Sequence, residues 1–249
     1  MFISIVNLTM GKLMDEDLQT ALRAINRQIS DDFEPHWSFG ARLRLEGVIG
    51  GAPRPQALSE MRGDALVYVV DRTDAEDTLG YHDRNNRGIP FGIVSLQESE
   101  NAGEDWTVTL SHEALELLGD PQSNLLVRGP HPGDRRRMVF HWFEMCDAVQ
   151  AEHYAIDGIN VANFVLPSYF TRTDERGSRN DFLGRLGDGG VLASFGVSPG
   201  GYVGFFDPAA NRDEQYWYPD DDAAAAAAAR KRKAKTGRGW RRLHPRSGA

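Results

Sequence analysis

Trp106-Thr-Val-Thr-Leu-Ser-His-Glu-Ala-Leu-Glu-Leu-Leu-Gly-Asp-Pro121 is the stretch on which the reading of this chain turns. The alternation of Trp106–Leu110 predicts a strand. The run that follows predicts a short helix, with Ser111 as N-cap because its hydroxyl can accept a first-turn amide. Gly119 stands where a helix end favours a left-handed residue, and Asp120-Pro121 prevents continuation. On such a helix, positions i and i+4 lie one turn apart on the same face. His112 and Glu116 are therefore candidate ligands of one cation, and Glu113 beside them is a candidate proton carrier. The pattern is that of a zinc-peptidase helix with one departure, since Glu116 stands where a second histidine is usual. An ordinary surface helix carries glutamates at the same spacing, so a metal reading requires further ligands.

Downstream, Met138–Phe143 reads as a strand by its aromatic and β-branched content, after a loop spanning Gly129–Arg137. It delivers Glu144-Met-Cys-Asp147. Acidic groups at a strand end beside a half-buried cysteine are costly unless solvated, paired or bound to a cation, which makes Glu144 or Asp147 the candidate third ligand. Cys146, a lone cysteine between apolar neighbours, reads as a small core residue, and His141 as structural. Asp157-Gly158, flanked by apolar alternation, is a strong hairpin signal. Tyr154, at the start of that hairpin, is a candidate oxyanion donor.

Upstream, Phe2–Leu8 predicts a buried first strand. A helix follows, with Asp15, Glu16 and Asp17 in its first turn and Leu18, Leu22, Ile25 and Ile29 on one face. Pro35 is expected to break it. Ala41–Glu46 alternates like a half-buried strand, Gly50–Pro55 is a turn cluster, and Ala65–Asp71 is an interior strand. Arg72–Pro90 reads as a loop before a strand at Phe91–Leu96. That strand, just ahead of the metal helix, is suited to pairing with an extended peptide. His82, in the loop, is a candidate to approach the site, although a loop histidine ordinarily satisfies backbone groups.

Taken together, Ser111-His-Glu-x-Leu-Glu116, Asp120-Pro121, Glu144-x-Cys-Asp147 and the Asp-Gly hairpin resemble a zincin-like family of bacterial and phage proteins. The similarity runs over residues 2–206, including Phe33-x-Pro-x-Trp37, Gly80-Tyr-His-Asp83 and Asn163-Phe-Val-Leu-Pro167. The resemblance implies an α+β, zincin-like metallopeptidase domain at 1–206. Its expected parts are a mixed sheet, a long N-terminal helix and a short metal-site helix. On the enzymatic reading of the residues themselves, Zn²⁺ is expected to be held by His112, Glu116 and one of Glu144 and Asp147, with Glu113 as general base toward a peptide or protein substrate. Two carboxylate ligands weaken the ion's electrophilicity and admit Mn²⁺ or Ca²⁺. The substitution at Glu116 also motivates an alternative, a catalytically inactive, metal-stabilised scaffold serving as a structural or binding protein of a phage or mobile element.

The net charge of −8 over 249 residues divides sharply. After Asp222 there are nine basic residues and no acidic ones, which leaves 19 basic against 36 acidic in residues 1–222. Such an acidic body disfavours a phosphate-binding face and suits a cation site. Residues 207–222 read as an acidic linker and 223–249 as an Ala-rich, basic, disordered tail, whose residues 230–246 would make weak nucleic-acid contacts. A single cysteine, no 18-residue apolar run and no basic leader lead to the expectation of a cytoplasmic protein, or one carried in a phage virion, without a membrane span.

Overall fold

The computed structural model describes residues 1–46, 63–73, 78–85, 87–171, 179–184 and 191–219. The turn cluster at Gly50–Pro55, the end of the expected linker and the basic tail lie outside them. The protein is α+β with mixed strand directions, and no described helix is long and apolar enough to cross a membrane. It divides into two compact units, Met1–Ser123 with Tyr154–Val161, and Asn124–His153 with the described residues from Ala162 onward.

The first unit is built on a five-stranded sheet. Strand β1 (Phe2–Leu8) lies parallel to both β2 (Arg42–Leu45) and β3 (Ala65–Val70), and β3 parallel to β5 (Pro90–Ser95). Strand β4 (Gly80–Arg84) closes the order β2-β1-β3-β5-β4 and runs antiparallel to β5. The near-continuous apolar character of β1 and β3 matches interior parallel strands, and Ile3, Ile5, Val67 and Val69 are fully buried. Residues 80–84, expected as loop, are thus a strand. Its sequence is poor in β-branched residues. The clue lay in the connection after it, where Asn85 Oδ1 accepts the amides of Arg87 and Ile89 and so forms the hairpin turn.

Helix α1 (Asp15–Arg27) buries Leu18, Leu22 and Ile25. Pro35 does not break it. Winding continues through a π-helical segment, Gln28–Phe33, into α2 (Glu34–Trp37), giving 23 helical residues before Ser38 turns left-handed at φ 61°. In the wider segment the Glu34 amide reaches Ile29 O, and this looser winding accommodates a residue without an amide hydrogen. Asn26 ties α1 to β2 at two points, accepting from Leu43 N at 2.8 Å and donating to Leu43 O at 2.9 Å.

Helix α3 (Leu96–Ala102) follows β5 directly, with Ser95 Oγ accepting the Glu98 amide. Helix α4 (Trp106–Gly119) comes next and corrects the reading of the central stretch. Trp106–Leu110 is helical, the N-cap is Asp105, which accepts from Thr107 N at 3.0 Å, and Ser111 sits mid-helix. Gly119 ends the helix without left-handed geometry, and the chain leaves at Asp120 with φ −136°. Residues 107–111, 113 and 114–118 are all buried, so α4 presents no polar stripe from which a helical period could be read. Packing on the sheet overrides the strand preference of Thr-Val-Thr.

Strands β8 (His153–Ile156) and β9 (Ile159–Ala162) form the expected hairpin, with Asp157 at φ 51° and Gly158 at φ 82° in a two-residue turn. Tyr154, Asp157 and Asn160 anchor it within the first unit. The Tyr154 hydroxyl donates to Asp32 at 2.7 Å, Arg27 pairs with Asp157 at 2.6 Å, and Thr107 Oγ1 donates to Asn160 O at 2.8 Å.

The second unit carries an antiparallel sheet, ordered β11-β10-β7-β6. It comprises β6 (Leu126–His131), β7 (Asp134–Trp142), β10 (Tyr202–Asp207) and β11 (Arg212–Trp217). The stretch Gly129–Arg137, expected as loop, supplies both strands of a hairpin, and β11 occupies part of the expected acidic linker. Pairing with β10 gives that polar segment its extended form. Gly204 lies directly under the Trp142 ring, and a Cβ there would fall 2.0 Å from it.

Candidate metal centre

The first unit gathers four of the residues that bear on metal chemistry. His112 and Glu116, on one face of α4, approach to 3.2 Å between Nε2 and Oε2, as their i, i+4 spacing requires. His82 reaches them from β4. Its Nδ1 lies 3.3 Å from Glu113 Oε2 and 3.7 Å from Glu116 Oε2. Glu116 Oε2 is therefore shared between two imidazoles. His82, Glu113 and Glu116 are 6%, 5% and 3% exposed, while His112 is half-buried.

Two local features set this geometry. Gly80 allows α4 to lie close on β4, since a Cβ at that position would fall 2.8 Å from the Thr109 methyl and 2.9 Å from Glu113 Cγ and Oε1. Ser111, the residue before His112, donates its hydroxyl to Gln28 Oε1 at 3.0 Å, and both side chains are fully buried. The π-helical segment that begins at Gln28 thus fixes the rotation of the helix carrying the cluster. Ser111 has a positioning role here and caps nothing.

Chemically the cluster offers imidazole nitrogen and carboxylate oxygen. Zinc binds such atoms at 2.0–2.2 Å, so two ligands on a tetrahedral ion stand about 3.3–3.6 Å apart. The His112–Glu116 and His82–Glu113 separations agree with such an edge, and His82–Glu116 is slightly longer. His82, Glu113 and Glu116 each supply an atom within 4.8 Å of the other two. Two buried carboxylates at one spot need compensating positive charge, which protonated imidazoles or a divalent cation can provide.

The sequence also singles out Tyr154, Glu144 and Asp147. Tyr154 has its hydroxyl engaged with Asp32 in the first unit, so it holds the hairpin to the N-terminal helical stretch. Glu144 and Asp147 belong to the second unit. There Glu144 is half-buried and Asp147 is 5% exposed at the start of a 3₁₀ turn, Asp147–Val149. Both border a small pocket with His141 and Tyr169. Burial, reinforced by the charge of Asp147, pushes the Tyr169 phenol far above its ordinary range. His82 is the residue that sequence reasoning undervalued, because its strand was taken for a loop.

No family model, curated protein or solved structure matches this chain.

Proposed function

We propose that this protein is a zinc-dependent metallopeptidase of zincin-like fold, with His112 and Glu116 as metal ligands and Glu113 as general base. The observation that carries the reading is the 3.2 Å approach of His112 Nε2 to Glu116 Oε2 on a helix that also holds the buried Glu113. A mixed sheet whose antiparallel edge strand packs beside that helix supports the fold. Nitrogen donors favour Zn²⁺, then Mn²⁺, over Ca²⁺, which prefers an all-oxygen shell. When bound, zinc supplies Lewis acidity toward a peptide carbonyl and makes water a competent nucleophile near neutral pH.

The protein's own groups do the rest. Glu113 Oε2 accepts a proton from the attacking water and returns it to the leaving amine, and with Nδ1 protonated His82 donates to that carboxylate and orients it. Burial on α4 excludes competing water from Glu113. For the third ligand, Glu144 and Asp147 remain the two candidates, and comparing the zinc affinity of their alanine variants decides between them.

The engagement of Glu113 by His82 favours one second reading, a metal-stabilised scaffold that does not turn over. Metal analysis of gently purified protein tests both readings, alongside hydrolysis of unstructured casein by wild type and Glu113→Gln. A peptidase retains stoichiometric zinc in both forms and loses about 10²–10⁴-fold in rate on substitution. Metal with no hydrolysis in wild type selects the scaffold. Protein that purifies without metal and gains no thermal stability from Zn²⁺ refutes both.

A further inference from the structure

We infer that the first unit contains a second cation position, formed by His82, Glu113 and Glu116, and that filling it removes the general base. This rests on the peptidase reading above and assigns a mode of regulation to the same site. His82 lies 31 residues before Glu113 in sequence and on a different element, so its Nδ1 is brought to both carboxylates by the fold and not by helical periodicity. The three ligand atoms lie within 4.8 Å of one another and all three residues are buried. Their separations from Nδ1, 3.3 and 3.7 Å, bracket the edge of a tetrahedral zinc shell of about 3.3–3.6 Å.

Glu116 Oε2 stands 3.2 Å from His112 Nε2 on one side and 3.7 Å from His82 Nδ1 on the other. A carboxylate has two oxygens and about four lone-pair directions, so it can serve both positions. Glu113 cannot serve both roles. As a ligand, Glu113 shares its negative charge with the cation, which lowers its basicity and leaves it a poor acceptor for the proton from water. Both positions offer one imidazole and two carboxylates and share Glu116, so a cation in the catalytic position leaves less negative charge for the second, which binds more weakly. Zinc at low concentration thus supports hydrolysis and at higher concentration suppresses it.

The test is equilibrium dialysis of the full chain against buffered free Zn²⁺, with bound metal measured by atomic emission, on wild type and on His82→Asn. Casein hydrolysis is followed across the same zinc series. The expected result is two bound equivalents in wild type with inhibition accompanying the second. His82→Asn then binds one equivalent and resists excess zinc. Far-UV circular dichroism of the variant in chelator establishes that it is folded, and the wild-type stoichiometry stands independently of it.

One equivalent in both proteins, with identical affinity, overturns the second position and leaves the peptidase reading intact. One equivalent in wild type that is lost in His82→Asn also overturns it, because His82 would then belong to the primary site. Two equivalents in wild type without inhibition overturn the regulatory role. No metal in either protein overturns this inference and the peptidase reading together.

Discussion

His82 and His141 are nearly equal in burial, at 6% and 2% exposure, and both lie on antiparallel strands, yet their surroundings have little in common. His82 faces two carboxylates in the first unit. His141, in the second, lies against the rings of Phe195 and Phe205 at 4.7 and 5.8 Å, and its Nε2 donates to Pro130 O at 2.8 Å. Burial there lowers its pKa to about 4, against which the Pro130 hydrogen bond works in vain. Burial alone therefore says little about a histidine. Carboxylate neighbours make an imidazole a ligand or a proton partner, whereas aromatic neighbours keep it neutral and structural.

The sharpest way to break this contrast is metal affinity. Glu116→Ala removes the oxygen shared by both imidazoles, and zinc affinity should fall about 1,000-fold, beyond the 10–100-fold typical of groups that merely orient a ligand. His141→Gln should leave it within about twofold. Competition against a chromophoric chelator measures both, and a comparable loss in the two variants would erase the distinction.

The next effect concerns pH. In the unfolded chain His141 takes up a proton near pH 6.5, but in the folded protein only near pH 4. Between those values the unfolded state holds more protons. Stability is therefore complete above pH 6.5 and declines by about 3 kcal/mol as the pH falls to 4. Urea unfolding at pH 7 and 4.5 should show a smaller decline for His141→Gln than for wild type. An unchanged decline would mean that other groups control acid sensitivity.

Gly80→Ala probes the first unit instead. A methyl group 2.8 Å from the Thr109 side chain forces β4 and α4 apart, at a cost of about 1–3 kcal/mol, and should weaken zinc binding together with stability. Full affinity in a folded Gly80→Ala protein would show that His82 tolerates displacement. The smallest change is expected from Ser111→Ala, which removes one buried hydrogen bond to Gln28 and should cost about 1 kcal/mol by thermal unfolding.

What could be read from sequence followed how locally each feature is determined. The Asp157-Gly158 turn was legible because two residues with positive φ suffice to specify it. The His112–Glu116 approach was legible because helical geometry alone places i against i+4. The first half of α4 was not legible, since a helix buried on every side has no amphipathic period. Nor was the place of His82, which depends on β4 pairing with β5 and on a glycine that admits α4. Pro35 misled for a related reason, because its conflict with helical winding is relieved by a wider segment that no residue pattern announces. Tyr154 was correctly placed on a strand, but its partner Asp32 lies 122 residues away.

The burial of α4 also bears on how a cation enters and leaves. Amide hydrogens along so buried a helix should exchange with solvent only in rare, large-scale openings, which would carry Glu113 and Glu116 with them. The other wall of the cluster is different, since among the described residues β4 ends the sheet order and has β5 as its single strand neighbour. Edge strands open at lower free energy than interior ones. Cation exchange should therefore follow the breathing of β4, with His82 as the moving jaw and the helix as the fixed one.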